Sequence, residues 1–150
     1  MRPVSPQQIV RQYVYAFAAV SPSDGRVVSL VLPWANADTM SIFLQHVADQ
    51  FPDEHCLVVL DGAGWHVSGD LRIPERIRLL YLPPYSPELN PAEMLWEHLR
   101  ENHFGNRAFD SIDDVATHLC DSLRGLDQQR DAIRSLTRFQ WFNALPLMAS

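Results

Sequence analysis

The chain has no lysine. All 12 of its basic residues are arginine, against 18 acidic residues in 150, for a formal charge of −6. The missing lysine reads as a compositional bias of the coding sequence with no chemistry attached. The shortage of positive charge says more, because a module that coats nucleic acid normally carries a basic excess. It leaves open an active site that works on nucleic acid through metal ions. Cysteine is scarce too: Cys56 and Cys120 are the only two and lack C-x-x-C spacing. That argues against structural zinc and a disulfide framework, and both read as buried thiols. Long apolar runs are lacking, since none approaches the roughly 20 residues a membrane helix needs. The amino terminus sets Pro3 and Pro6 among glutamines where a secretory signal would have an apolar core and a small-residue cleavage site. The expected compartment is therefore the cytoplasm. The stretch DGAGWH, Asp61 to His66, matches neither G-x-G-x-x-G nor G-x-x-x-x-G-K-[ST], so a dinucleotide or P-loop phosphate site has no support.

What is present suffices for one globular domain: 47% of residues are hydrophobic and 20% charged, with no internal repeat and no linker. Residues 1–11 are expected to form a flexible lead and residues 12–145 the domain. From Gln12 to Val20, aromatic residues at 13, 15 and 17 alternate with small apolar ones, which predicts a strand covered on both faces. Pro22, Asp24 and Gly25 make a turn into a second apolar run, Val27 to Leu32, giving an antiparallel hairpin. The period then changes. Met40, Phe43, Leu44, Val47 and Phe51 lie three or four apart and predict a helix from Asp38 that Pro52 stops. Cys56 to Leu60 (CLVVL) suits a buried parallel strand ending at Asp61. A helical turn or two through Trp65, His66 and Leu71 should precede a further strand, Ile77 to Leu82. The loop PPYSPELNP, residues 83–91, is too proline-rich for helix or strand and should be stiff. Helix resumes at Pro91 with Asn90 as its N-cap. Two packing helices follow, from Ser111 to Leu123 and from Gln128 to Leu136, the first opened by a Ser111–Asp114 capping box. The order predicts a mixed α/β domain whose crevice lies at the carboxyl ends of the parallel strands.

Two carboxylates converge on that crevice: Asp61 ends a buried strand, and Glu93 opens a helix entered from the next strand. Such a pair suits a hard divalent cation. Each also has a plainer reading. Asp61 can be a turn former before Gly62, and Glu93 has capping-box spacing from Asn90, worth about 1 kcal/mol or less. His66 could line the crevice as a proton carrier or phosphate contact, or serve only as a local hydrogen-bonding residue. Glu97, one turn beyond Glu93, reads as a solvated or paired surface residue. Trp65, Trp96 and Trp141 read as core or interface anchors.

The stretch LVVLDGAGWH (57–66) followed by IRLLYLPPYSPELNPAEMLWEHLR (77–100) resembles the catalytic domain of bacterial insertion-sequence transposases of the mariner superfamily, the DDE-type endonucleases. The hairpin with YAFAAVSPSDG and the helix after LPWANADTM look like that family as well, so the similarity covers about residues 12–145. The resemblance implies an RNase H-like fold. It also implies three carboxylates holding two Mg²⁺ or Mn²⁺ ions for DNA phosphodiester cleavage and strand transfer. Asp61 matches the family's second acidic residue and Glu93 its third, with His66 beside them in the site. The implied partner is DNA, as transposon ends and target, and a homo-oligomer is possible.

The chain also departs from the family. The first aspartate belongs on a strand before the hairpin, and nothing before Tyr13 can be that strand. Asp24 lies in the hairpin turn and Asp38 at a helix start, so neither substitutes. An amino-terminal helix-turn-helix region has no counterpart, which accounts for the acidic balance. In an RNase H-like sheet the first strand is central, between the hairpin and Cys56–Leu60. Its loss would leave strand edges without partners, at about 1–3 kcal/mol for each unsatisfied buried group. The expectation is a transposase catalytic-domain fragment that is inactive alone: either the second part of a frameshifted product needing an upstream transposase segment, or the remnant of a decayed element. A non-catalytic interaction protein that binds a transposase subunit is the rival. A small hydrolase using the carboxylates as acid and base is a third reading, and it predicts activity without Mg²⁺.

Overall fold

A computed structural model describes residues 14–61, 69–83, 90–105 and 108–137. The period-two segment forms β1 (Tyr15–Ser21), and the next apolar run forms β2 (Arg26–Leu32). They pair antiparallel from Tyr15 opposite Leu32 to Ser21 opposite Arg26. The turn between them is closed by the Gly25 N–H donating to the Ser21 carbonyl at 2.7 Å and by the Arg26 N–H donating to Asp24 Oδ1 at 3.1 Å. Gly25 has φ +76°, a region where a residue with a Cβ is strained.

Helix α1 (Ala37–Gln50) begins one residue before the expected Asp38, at a capping box. Asn36 Oδ1 accepts from the Thr39 N–H, and Thr39 Oγ1 accepts from the Asn36 N–H, both at 2.9 Å. Strands β3 (Cys56–Leu60) and β4 (Ile77–Tyr81) pair parallel, Cys56 opposite Ile77 and Leu60 opposite Tyr81. The Arg76 guanidinium donates to the carbonyls of Ala48, Phe51 and Glu54. One side chain thus satisfies carbonyls that the end of α1 leaves open and anchors the entry to β4.

Helices α2 (Pro91–His103), α3 (Ile112–Asp127) and α4 (Arg130–Thr137) are the remaining described elements. Ser111 caps α3 by accepting from the Asp114 N–H. The α3 and α4 boundaries differ from expectation: α3 runs four residues beyond Leu123, and α4 starts two residues after Gln128. The predicted helical turn around His66 falls mostly on residues 62–68, outside the described residues, and residues 69–76 are turns and irregular backbone with no helix. No described helix is long and apolar enough to cross a membrane.

The alternation of β1 and β2 supplies two cores, one per face. Phe17 and Val28 pack with Met40, Phe43, Leu44 and Val47 of α1, together with Leu60 and Ile77. Val27 faces the other way, onto Leu95 and Leu99 of α2, Leu119, Leu123 and Leu126 of α3, and Ile133 of α4. A hydrogen bond from the Val27 N–H to Asp127 Oδ1 at 2.8 Å fastens the end of α3 to β2. The architecture is mixed α/β, as expected. Its described strands make two separate pairs, β1–β2 and β3–β4; no described strand joins them into one sheet.

Where α2 ends, His118 Nε2 donates to the His103 carbonyl, and the His98 and His103 rings lie 6.2 Å apart. Burial pushes the His103 pKa below 6.5, and neighbouring His98 and His118 push it the same way. Folding therefore disfavours the protonated ring. Its contribution is complete above the unfolded-state value and is lost as pH falls through that value toward the lower folded one. The urea midpoint is expected to fall between about pH 7.5 and 5.5, and His103→Gln should shrink that fall. An identical fall in the variant would show that other groups cause it.

Candidate active site

Asp61 takes its position from β3, because the apolar run ends there and the pairing with β4 continues one step further, the Leu82 N–H donating to the Leu60 carbonyl at 2.8 Å. Its side chain is exposed at the carboxyl end of the parallel pair, the position where α/β sheets open their crevices. Glu93 takes its position from the start of α2, where Pro91 occupies the first turn and Asn90 caps it. Asn90 Oδ1 accepts from the Ala92 N–H at 3.0 Å, while the Glu93 N–H donates to the Asn90 backbone carbonyl. Asn90 thus caps Ala92 and not Glu93, and the reciprocal bond of a capping box is not formed among the described residues. The half-buried Glu93 side chain is left in the first turn, near the positive end of the helix dipole.

Asp61 and Glu93 line one cavity of about 870 Å³. Its walls are β1, β3, the Met40–Phe43–Val47 stripe of α1 and the first turns of α2, with Arg134 reaching in from α4. Arg134 also pairs with Asp131 at 3.6 Å. Glu97 is exposed and outside this lining. Trp96 is half-buried, packs on the second core and borders the cavity. His66, Trp65 and Trp141 lie outside the described residues. Cys56 lines the far end of the cavity; burial and then Glu54 raise its pKa, against the opposing pull of Arg76 and Arg26. It is therefore a neutral thiol, not a nucleophile, at ordinary pH.

Two carboxylates suit Mg²⁺ or Mn²⁺, which take oxygen donors and complete their shells with water and phosphate oxygens. Among the described residues no group of three or more His, Cys, Asp or Glu side chains is placed to hold a metal ion. Sequence reasoning located both carboxylates and expected a crevice at the carboxyl ends of the parallel strands, but missed how far the cavity extends along β1 and β3, and missed Arg134. The two-sided apolar patterns of β1 and β3 were the available signal for the cavity, since both strands need cover on each face.

Residues 2–116, well over half of the chain, match the family model for the DDE superfamily endonuclease. The chain belongs to this family. The match spans β1 through α2, including Asp61 and Glu93, and enters the first turn and a half of α3. Membership implies DNA as the substrate and a transposase-like nuclease function, and DDE endonuclease domains generally use divalent metal ions. The chain is also 39% identical over 130 residues to "Uncharacterized protein y4pE/y4sA" of Sinorhizobium fredii (strain NBRC 101917 / NGR234), an alignment covering 86% of this chain and 96% of that protein. No solved structure matches.

Proposed function

We propose that this DDE-family chain is the carboxyl-terminal part of an RNase H-like transposase catalytic domain of the mariner type, from a bacterial insertion sequence. Asp61 and Glu93 hold divalent metal, and His66 lines the same site. The observation that carries the proposal is the pair itself: the end of a buried parallel strand and the first turn of a helix present one carboxylate each to a single cavity. Bound Mg²⁺ ions would supply activation of the attacking oxygen and neutralise the leaving one. Asp61 and Glu93 would hold those cations through their carboxylate oxygens. Arg134 adds positive charge at the wall, where a DNA backbone gains from it. Segments 12–145 make up the domain, with residues 1–11 as its lead.

The family's trio needs one more acidic residue than the pair supplies, so the chain alone is expected to cleave DNA at background level. Co-expression with an upstream transposase segment that carries a strand ending in aspartate should restore Mg²⁺- or Mn²⁺-dependent cleavage of transposon-end DNA. Asp61→Asn or Glu93→Gln should return it to background. Strong Mg²⁺-dependent cleavage by the 150-residue chain alone, abolished by Asp61→Ala, would overturn the need for a second segment. Failure of every upstream segment to restore cleavage would favour a non-catalytic protein that binds a transposase subunit.

A further inference from the structure

Among the described residues Trp34 is the most exposed large apolar side chain, at 66%. The backbone that carries it is fixed on both sides. Leu32, two residues before it, is paired in β2. Ala35, the next residue, packs on the first core and lines the cavity, and Asn36 closes the capping box of α1. A well-held link thus presents an indole to water, where it forgoes one of the largest burial gains open to a side chain.

The position of this indole follows from what holds the two ends of α1. Arg26, opposite Ser21 at the end of β1, lies over the Phe51 ring at 4.2 Å. Arg76 donates to the Phe51 carbonyl, and its own carbonyl accepts the Cys56 N–H at 2.8 Å. The carboxyl end of α1 therefore meets the end of β1 and the start of β3. The start of α1 lies at the other end, with the start of β1 and the end of β3, where Asp61 stands. Ala35, Asp61 and Glu93 accordingly line one cavity, and Trp34 stands beside its rim. Arg72 comes to the same helix start: its backbone N–H donates to Ser41 Oγ at 2.9 Å, and its guanidinium pairs with Asp38 at 3.3 Å. Both side chains of that pair are more than two-thirds exposed or close to it, at 67% and 73%. Such a pair is weak, so the guanidinium is available to a phosphate.

We propose, on the strength of the nuclease reading, that Trp34 is a base-stacking residue. It takes the face of one unpaired nucleobase in DNA whose scissile phosphate lies at Asp61 and Glu93, with Arg72 on a neighbouring phosphate. A paired base hides both of its faces in the duplex stack. A base released at a strand end has lost a stacking partner, and an indole replaces it whatever the base, because every base has a π-face. Arginine beside an aromatic surface is the combination that single strands use. A second hold on the strand restricts where the backbone phosphate sits relative to the two carboxylates. Trp34 acts in binding and positioning and takes no part in bond making. A protein partner fits this surface less well, since the cores of protein contacts are depleted of charge and the exposed Asp38–Arg72 pair stands at the same helix start.

The probe is a DNA duplex with a single-stranded overhang carrying 5-iodo-2′-deoxyuridine at its first unpaired position, added to the full chain in low-salt buffer without divalent metal. The control is the same duplex with the overhang paired. Irradiation is expected to join the iodinated base to Trp34, located by mass spectrometry, on the overhang and not on the control. Trp34→Leu keeps apolar bulk without a π-face and should weaken overhang binding about tenfold, down to that of the control. Trp34→Tyr should restore most of the preference for the overhang. Stacking releases few counterions, so the ratio of parent to Trp34→Leu affinity should hold as salt rises. Equal overhang binding by parent and Trp34→Leu, or a cross-link confined to other residues, would overturn the proposal and leave the nuclease reading standing. Binding to neither DNA would remove the nuclease reading and the proposal together. Self-association of the chain without DNA, lost in Trp34→Leu, would assign Trp34 to a contact between copies and overturn the proposal as well.

Discussion

Leu44→Ala is expected to lower the unfolding free energy by about 3–5 kcal/mol, read as a drop in the urea midpoint at unchanged slope. Leu44 is 0% exposed and sits in the cluster that joins α1 to both strand pairs. Removing its outer carbons loses their burial and leaves a void, since neighbours such as Phe43 and Val47 are held in place by the helix that carries them. The α1 face is the only described layer in which residues of β1, β2, β3 and β4 meet, so the void loosens the two pairs relative to one another. Ile42→Ala, two residues away at 51% exposure, should change stability by about 0.5 kcal/mol or less. Equal losses at the two positions would mean that α1 docks through another face.

Gly25→Ala is the second large effect, with an expected loss of about 2–5 kcal/mol. A side chain at φ +76° is strained by itself, and a Cβ there would also run into the backbone of Arg130 at the start of α4. The obstacle is main chain and cannot rotate away. It would have to move α4, whose Ile133 is 1% exposed in the second core and whose Thr137 hydroxyl bonds the Ile133 carbonyl. Two comparisons separate the causes. Asparagine tolerates a left-handed backbone, so Gly25→Asn should recover little if the close approach dominates and most of the loss if backbone strain does. Gly125→Ala, inside α3 with nothing within 4 Å of the added carbon, should raise stability by about 0.5–1 kcal/mol. A Gly25→Asn chain as stable as the parent would show that the hairpin turn does not press on α4.

The elements were legible where the physics is local. The shift from period two to a spacing of three and four separated the hairpin from α1, because alternation and helical turns place side chains on opposite schedules. Asn90 and Ser111 marked helix starts since an N-cap acts within three residues of itself. The boundaries missed were those that local rules leave open. The four residues of α3 beyond Leu123 are held by Leu126 in the core and by Asp127 bonding to Val27, contacts invisible to a window on the sequence. Capping-box spacing at Asn90 and Glu93 misled for a similar reason: spacing permits the reciprocal bond, but Asn90 turned to Ala92.

The sequence by itself determined the order of strands and helices, placed Asp61 at the end of an apolar strand and Glu93 in the first turn of a helix, and carried the motif that marks the family. All of this is written in residues near one another in the chain. Only the tertiary structure decided that β1 and β3 line one cavity, that Arg134 reaches its wall, and that Gly25 lies against Arg130. Those relations join residues separated by tens of positions to more than a hundred. Chain connectivity and packing set them, and neither leaves a period in the sequence.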